Sequence, residues 1–368
     1  MQRVLAAILL VLAGSAVAGP GEEVRINQIQ MIGTHNSYHA GLPPGIARLL
    51  AEKDPDLLRG LDYFHPGLID QLSSGIRQIE LDIYADPQGG RFSDPMGRRW
   101  AAEAGFPAGP DPYEKGVMQA PGFKVLHMQD VDYVSNCQPF RACLEEVRSW
   151  SDSHPRHLPL FLLIETKVSA GTWKWESGKS NPFTGETLDA LDTEIRSVFS
   201  EDRLITPDKV RGDYPTLDRA VREIGWPTLA EARGKVVFLL DQKNVSAAYL
   251  SRHSALRGRV LFTNADPGSE DAAFVERNEG SAAEIADLVR QGYLVRTRSD
   301  WNTEQARTGD PSRRDEAMAS GAQIISTDYP PEEPSRWTGY RVAFEGGKTV
   351  RCNPVLISAA CHPGELEP

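Results

Sequence analysis

The sequence is short of several things at once, and each shortage excludes a class of protein. Beyond residue 20 no run is long and apolar enough to span a bilayer, which takes roughly 20 residues. No Gly-x-Gly-x-x-Gly follows an apolar run and no Gly-x-x-x-x-Gly-Lys-[Ser/Thr] occurs, so the common dinucleotide and P-loop grips are missing. Basic residues are outnumbered, 40 Lys and Arg to 51 Asp and Glu, for a net charge of −11. Nucleic-acid binding and a polybasic hold on anionic membranes both run on Lys and Arg, so both are disfavoured. Cysteines number four, none of them in a Cys-x-x-Cys pair. There is no internal repeat and no low-complexity tract. What remains is ordinary for a globular protein: 368 residues, 40% hydrophobic and 25% charged, with enough chain to build a large core without staples.

The first 20 residues stand apart. Arg3 precedes an apolar run from Val4 to Ala13, and Ala16-Val17-Ala18 supplies small residues for cleavage. This pattern reads as a secretory signal, residues 1–18, too short for a membrane anchor. Residues 19–368 are then one catalytic unit, exported to an extracellular or periplasmic space and acting as a monomer. Export permits disulfides, and Cys137–Cys143 with Cys352–Cys361 is the simplest of three pairings. A zinc site is the weaker alternative, because no histidine stands at ligand spacing beside Cys137.

Short apolar runs recur along the chain with helical stretches between them. Candidate strands are 28–34, 76–83, 123–127, 159–165, 235–241, 259–263, 293–297 and 323–327. Several are almost continuously apolar, as strands covered on both faces are. Helices are expected over 184–199, 281–291 and 311–320. The second opens on Ser281 and Glu284 as a capping box and stops before Gly292. Eight strands alternating with helices point to an α/β fold of the (β/α)8 barrel type; an open doubly wound sheet is the runner-up. Residues 84–122 and 166–182 are Gly- and Pro-rich insertions after strands, on the face where such barrels carry their sites. Residues 330–368 read as an irregular C-terminal cap.

Polar residues cluster where these strands end. Thr34-His35-Asn36 closes the first. Glu80 and Asp82 alternate with Ile79, Leu81 and Ile83 in the second, so the pleat puts both carboxylates on one face, roughly 7 Å apart. His127 ends the third, and Glu165 ends the fourth with Lys167 two residues on. A barrel brings all of these to one mouth. Three carboxylates and an amide oxygen repel one another unless a cation intervenes, and an all-oxygen set suits Ca2+ or Mg2+. Two histidines beside that cation suit phosphodiester chemistry. Plainer readings exist for each: His35 and His39 as an incidental loop pair, Glu80-x-Asp82 as a solvated face, Lys167 as a purely structural partner of Glu165. His35-Asn36-Ser37-Tyr38-His39 lacks the glutamate of a zinc-protease helix. Trp173 and Trp175 either touch lipid or pack over the rim.

The strings MIGTHNSYH, IELDIY, VLHMQD and LLIETK, in that order, resemble the catalytic barrel of phosphatidylinositol-specific phospholipase C, in particular its secreted bacterial calcium-dependent branch. The resemblance covers roughly residues 25–330, and TRSDWN and GAQIISTDYP are similar as well. It implies cleavage of phosphatidylinositol at a membrane surface by attack of the inositol 2-hydroxyl, giving diacylglycerol and inositol 1,2-cyclic phosphate. It implies Ca2+ held by Asn36, Glu80, Asp82 and Glu165; ligand types alone leave Mg2+ open. His35 would hydrogen-bond the phosphoryl oxygen, His127 would protonate the leaving oxygen, and Asp82 or Glu165 would be the base. Lys167 and Arg296 would touch phosphate or inositol. The chain departs from eukaryotic relatives in having no room for regulatory modules and no basic cluster for polyphosphorylated headgroups. In the metal-independent bacterial branch an arginine replaces the metal, and Glu80, Asp82 and Glu165 speak against that branch. Two alternatives stay open: a glycerophosphodiester phosphodiesterase, which usually opens on His-Arg-Gly, and a non-catalytic secreted binder of lipid or sugar.

Overall fold

The computed structural model describes residues 21–107 and 109–367, so the expected export segment at 1–18 lies outside the described residues. Ten strands are present: β1 Ile29–Thr34, β2 Gln78–Asp86, β3 Gly122–Val125, β4 Leu160–Thr166, β5 Val236–Leu240, β6 Leu261–Thr263, β7 Phe274–Glu276, β8 Leu294–Arg298, β9 Ile324–Thr327 and β10 Val350–Cys352. Eight of them run parallel in the order β6-β5-β4-β2-β1-β9-β8-β7. A single parallel bridge, Asn264 to Phe274, joins the two ends. The result is a nearly closed (β/α)8 barrel.

Two expectations change. The run 123–127 is not a barrel strand: β3 lies antiparallel to the upper half of β2, with Ile83 opposite Val125 and Asp86 opposite Gly122. The eighth barrel strand is β7, only three residues long and reached from β6 with no helix between them. An apolar run reports burial but not direction, and three residues are too few for a period to show. Because β3 runs against β2, the chain leaving it descends into the barrel, and the Leu126 N–H donates to the Asp82 carbonyl at 3.3 Å. His127 therefore arrives beside the carboxylates from above.

The helices form where their caps are. Ser281 and Glu284 cap each other at the start of Ala282–Arg290, and Thr184 accepts from the Thr187 N–H at the start of Gly185–Val198. The third is Ser312–Ala319. Between these and the strands lies one continuous apolar core. None of the helices among the described residues is long and apolar enough to cross a membrane. Both disulfides form, Cys137–Cys143 and Cys352–Cys361. The second sits beside β10, which pairs antiparallel with the first half of β1, Ile29 opposite Cys352. β2 joins β1 only at Gly33 opposite Gln78. A Cβ at Gly33 would stand 2.7 Å from Gln78 Cβ and 1.9 Å from its Oε1, so glycine is what lets β1 and β2 meet.

At the opposite end of the barrel His157 is buried against Trp150, with Nε2 2.7 Å from Ser151 Oγ. Burial, with Arg77 and Arg203 adding to it against the Leu158 carbonyl, pushes its pKa down to about 4. The folded state thus resists a proton that the unfolded chain accepts near pH 6.5. Stability from this group is complete above pH 6.5 and lost as pH falls toward 4, by about 3 kcal/mol in all. We expect His157→Gln to flatten the fall in stability between pH 7 and 4, measured by denaturant unfolding; an unchanged slope would contradict the assignment. Gly33→Ala is expected to cost about 1–3 kcal/mol through overpacking, read as a lowered unfolding midpoint, whereas unaltered stability would show that β1 and β2 part freely.

Candidate active site

The mouth at the carboxyl ends of the strands is built by strand geometry. Asp82 and Glu165 are direct neighbours in the β2–β4 register, and Glu80 shares the Asp82 face two residues down. Their carboxylate oxygens lie within 4.8 Å of one another, with Glu80 and Asp82 buried. Crowding of this kind is costly in a low dielectric. Burial, aided by Asp82 and Glu165 against the pull of Arg296, pushes the Glu80 carboxyl up to about 8. Burial and the Glu165 charge raise Asp82 as well. Burial acts on Glu165 too, but the Lys167 ammonium outweighs it and holds that carboxyl below its ordinary range.

Two cations offset this charge, and a third stands beside His35. Lys167 Nζ lies 2.8 Å from Glu165 and 3.2 Å from Asp82. Arg296 donates to Glu80 at 2.5 Å, to Glu276 at 3.1 Å and to Asn278 at 2.8 Å. It is 2% exposed, and two of these partners are the protein's own carboxylates. Arg298 donates to Asp328 at 3.1 Å, and its Nη1 lies 3.0 Å from His35 Nε2.

Each histidine is held by its own aspartate. His35 Nδ1 is 2.7 Å from Asp328 Oδ1, and its Nε2 is 3.7 Å from Glu80. Burial first, then the positive charges of Arg298 and Arg296, hold His35 well below its ordinary pKa. A neutral ring that donates its Nδ1–H in a hydrogen bond to Asp328 leaves Nε2 free to accept from Arg298. His127 Nδ1 is 2.9 Å from Asp132 Oδ2, and the His127 charge is felt by both His35 and Glu165. Asn36 adopts the left-handed conformation, φ +46°, which asparagine tolerates better than most residues. It donates to Tyr63 Oη at 2.9 Å, and its Oδ1 meets only the Tyr38 hydroxyl, at 3.4 Å.

His35, Asn36, Glu80, Asp82, His127, Glu165, Lys167 and Arg296 are all brought to this mouth. Sequence reasoning passed over Asp328, Asp132 and Arg298, although all three lie at or just beyond strands or motifs already singled out. Their part depends on which strand lies next to which, and a single run of residues does not carry that.

The carboxylate set fits a hard cation. Ca2+ takes oxygen ligands at about 2.3–2.6 Å, so donors facing each other across it stand at most about 5 Å apart, the spread found here. Both Asp82 oxygens are buried without a well-formed hydrogen bond, Oδ2 meeting the Lys167 ammonium at 3.2 Å, and Asn36 Oδ1 is a further neutral oxygen.

Residues 24–354 match the family model described as phosphoinositide phospholipase C, Ca2+-dependent. No curated protein sequence matches the chain. Among solved structures the fold is similar to the calcium-dependent phosphoinositol-specific phospholipase C from a Gram-negative bacterium, Pseudomonas sp. Its apo form gives a TM-score of 0.56 at 16% identity, covering 91% of this chain and 98% of that one. Its myo-inositol complex gives 0.56 at 17% identity, covering 90% and 96%. The Ca2+-dependent phosphatidylinositol-specific enzyme from Streptomyces antibioticus gives 0.49 at 19% identity, covering 83% and 95%. The family match sets aside the glycerophosphodiesterase and the non-catalytic binder: the chain belongs to the Ca2+-dependent phosphoinositide phospholipase C family, enzymes that cleave phosphatidylinositol.

Proposed function

We propose that the mouth carries out this cleavage by internal attack of the inositol 2-hydroxyl, with the residues in the following roles. The observation that carries the reading is the convergence of Glu80, Asp82 and Glu165 within 4.8 Å, beside two histidines each fixed by its own aspartate. Asn36, Glu80, Asp82 and Glu165 would hold Ca2+, which when bound acidifies a hydroxyl and neutralises phosphoryl charge. The 2-hydroxyl oxygen forms a bond to phosphorus while its proton passes to Asp82 or Glu165. The bond from phosphorus to the diacylglycerol oxygen breaks, and that oxygen takes a proton from His127 Nε2. The products are inositol 1,2-cyclic phosphate and diacylglycerol.

Asp132 keeps the His127 ring turned so that Nε2 faces the leaving oxygen. Arg298 and His35 Nε2 lie 3.0 Å apart, so a phosphoryl oxygen seated beside them takes the guanidinium hydrogen bond that His35 now accepts. Donors fixed in advance at the place where charge develops are worth the most. Lys167, beside Asp82 and Glu165, is the cation nearest the attacking side. Arg296 holds Glu80 in place.

The enzyme is proposed to be exported and to work as a monomer at a membrane surface. Four large apolar side chains stand exposed on loops that follow barrel strands: Phe64, Val168, Trp173 and Trp301. With a net charge of −11, contact with lipid would rest on these apolar residues rather than on basic ones.

Chelation of free calcium should abolish phosphatidylinositol cleavage and calcium should restore it; full activity in excess chelator would refute the metal assignment. Asp82→Asn and Glu80→Gln should each weaken Ca2+ binding, by about tenfold or more in calorimetry, through loss of a ligand charge. His127→Ala should lower turnover of phosphatidylinositol by about 10²–10⁴-fold and leave calcium affinity nearly unaltered. Phosphorus NMR should detect the cyclic inositol phosphate first, and release of glycerol 3-phosphate would count against the reading.

A further inference from the structure

His39 is the second histidine of the first strand's loop, and the roles given so far leave it idle. Its backbone is fixed on three sides. The N–H donates to the Asn36 carbonyl and the carbonyl accepts from the His65 N–H, each at 2.8 Å, and an antiparallel bridge joins it to Ser135. The imidazole is fully buried and packs on Tyr63 with ring centres 4.6 Å apart. Its Nε2 lies 3.0 Å from Asp132 Oδ1, bent away from the line of an ideal hydrogen bond, and its Nδ1 has no hydrogen-bond partner among the described residues. With a carboxylate at Nε2 and nothing at Nδ1, the ring proton belongs on Nε2. Asp132 is thus held by both oxygens, Oδ1 against His39 and Oδ2 2.9 Å from His127 Nδ1.

We propose that His39 is a positioning residue: it pins Asp132 by one oxygen so that the other keeps His127 aimed at the leaving oxygen. A buried carboxylate with one partner can turn about its Cβ–Cγ bond; one held at both oxygens cannot turn without losing a contact in a medium where that loss is expensive. The arrangement also ties two parts of the site together. His39 belongs to the loop that carries His35 and Asn36, whereas Asp132 and His127 belong to the segment after β3; backbone contacts at Ser135 and Asn136 dock the two segments, and the His39 ring adds the side-chain link that reaches Asp132 itself. The assignment rests on His127 being the group that protonates the leaving oxygen.

The test compares two esters of inositol phosphate, phosphatidylinositol with its alkyl leaving group and a p-nitrophenyl ester whose leaving group departs without a proton. His39→Leu is expected to lower kcat on phosphatidylinositol by about 10–100-fold, the usual effect of losing such a supporting partner. KM and turnover of the aryl ester should hardly change. His39→Gln, whose amide N–H reaches the Nε2 position, should recover most of the loss, and His39→Asn, whose amide falls short of it, should not. Equal losses on the two esters, no loss on either, or no difference between Gln and Asn would each overturn the proposal. The Gln–Asn comparison decides even if His39→Leu fails to fold. His127→Ala on the same pair of esters checks the underlying role separately: an equal loss on both would remove His127 as the acid, and the proposal with it.

Discussion

The mouth of this barrel is governed by a repulsion. Three carboxylates sit with oxygens within 4.8 Å of one another, and two of the residues are almost wholly buried. Left alone they would hold protons or disperse. The protein prevents dispersal by mounting them on the stiffest elements it has, β2 and β4, in direct register. It offsets the charge with Lys167 and Arg296, which are themselves held by these carboxylates. Much of the polar architecture follows from that. Arg296 draws in Glu276, Asn278 and Ser326 as further partners of a guanidinium cut off from water, and its Nε still lacks one. The outward alternation of Ile79, Leu81 and Ile83 supplies the apolar contact that anchors the strand.

The two histidines resemble each other in holding an aspartate through Nδ1, and they differ in what meets them otherwise. Arg298 stands at 3.0 Å from His35 Nε2, and its charge helps to keep that ring neutral behind the effect of burial. No guanidinium occupies the equivalent place at His127 among the described contacts, where Asp132 is the charged neighbour within hydrogen-bond reach. One residue type thereby meets two different surroundings in a single pocket. Arg298 adds a guanidinium on the side where the phosphoryl group is proposed to sit.

What could be read from sequence was what repeats locally. Apolar runs located seven of the eight barrel strands, and the pleat placed Glu80 and Asp82 on one face. The run at 123–127 misled because burial looks the same in a strand of either direction, and β7 escaped because three residues show no period. His127 does not cap a barrel strand but is lowered to the mouth by the antiparallel segment after β3. A sequence shows that Lys167 and Arg296 are cations near carboxylates; which carboxylates each one pairs with depends on strand order.

The partners of the histidines were legible in principle from closure alone. In a closed barrel the first and last strands are neighbours, and here Thr34 of β1 lies opposite Thr327 of β9. The next residue on each strand is His35 and Asp328, so the dyad is the continuation of a register past the end of the ladder, between residues 293 positions apart. The same closure explains why the far end of the chain matters to the site. β10 pairs with the first half of β1, beside the Cys352–Cys361 bridge, while Gly33 lets β2 approach the second half. β1 is therefore held on both edges just below His35 and Asn36. A strand so clamped can carry His35 and the proposed metal ligand Asn36 on the two residues that follow it, because their aim is set by the barrel wall and not by the loop they begin.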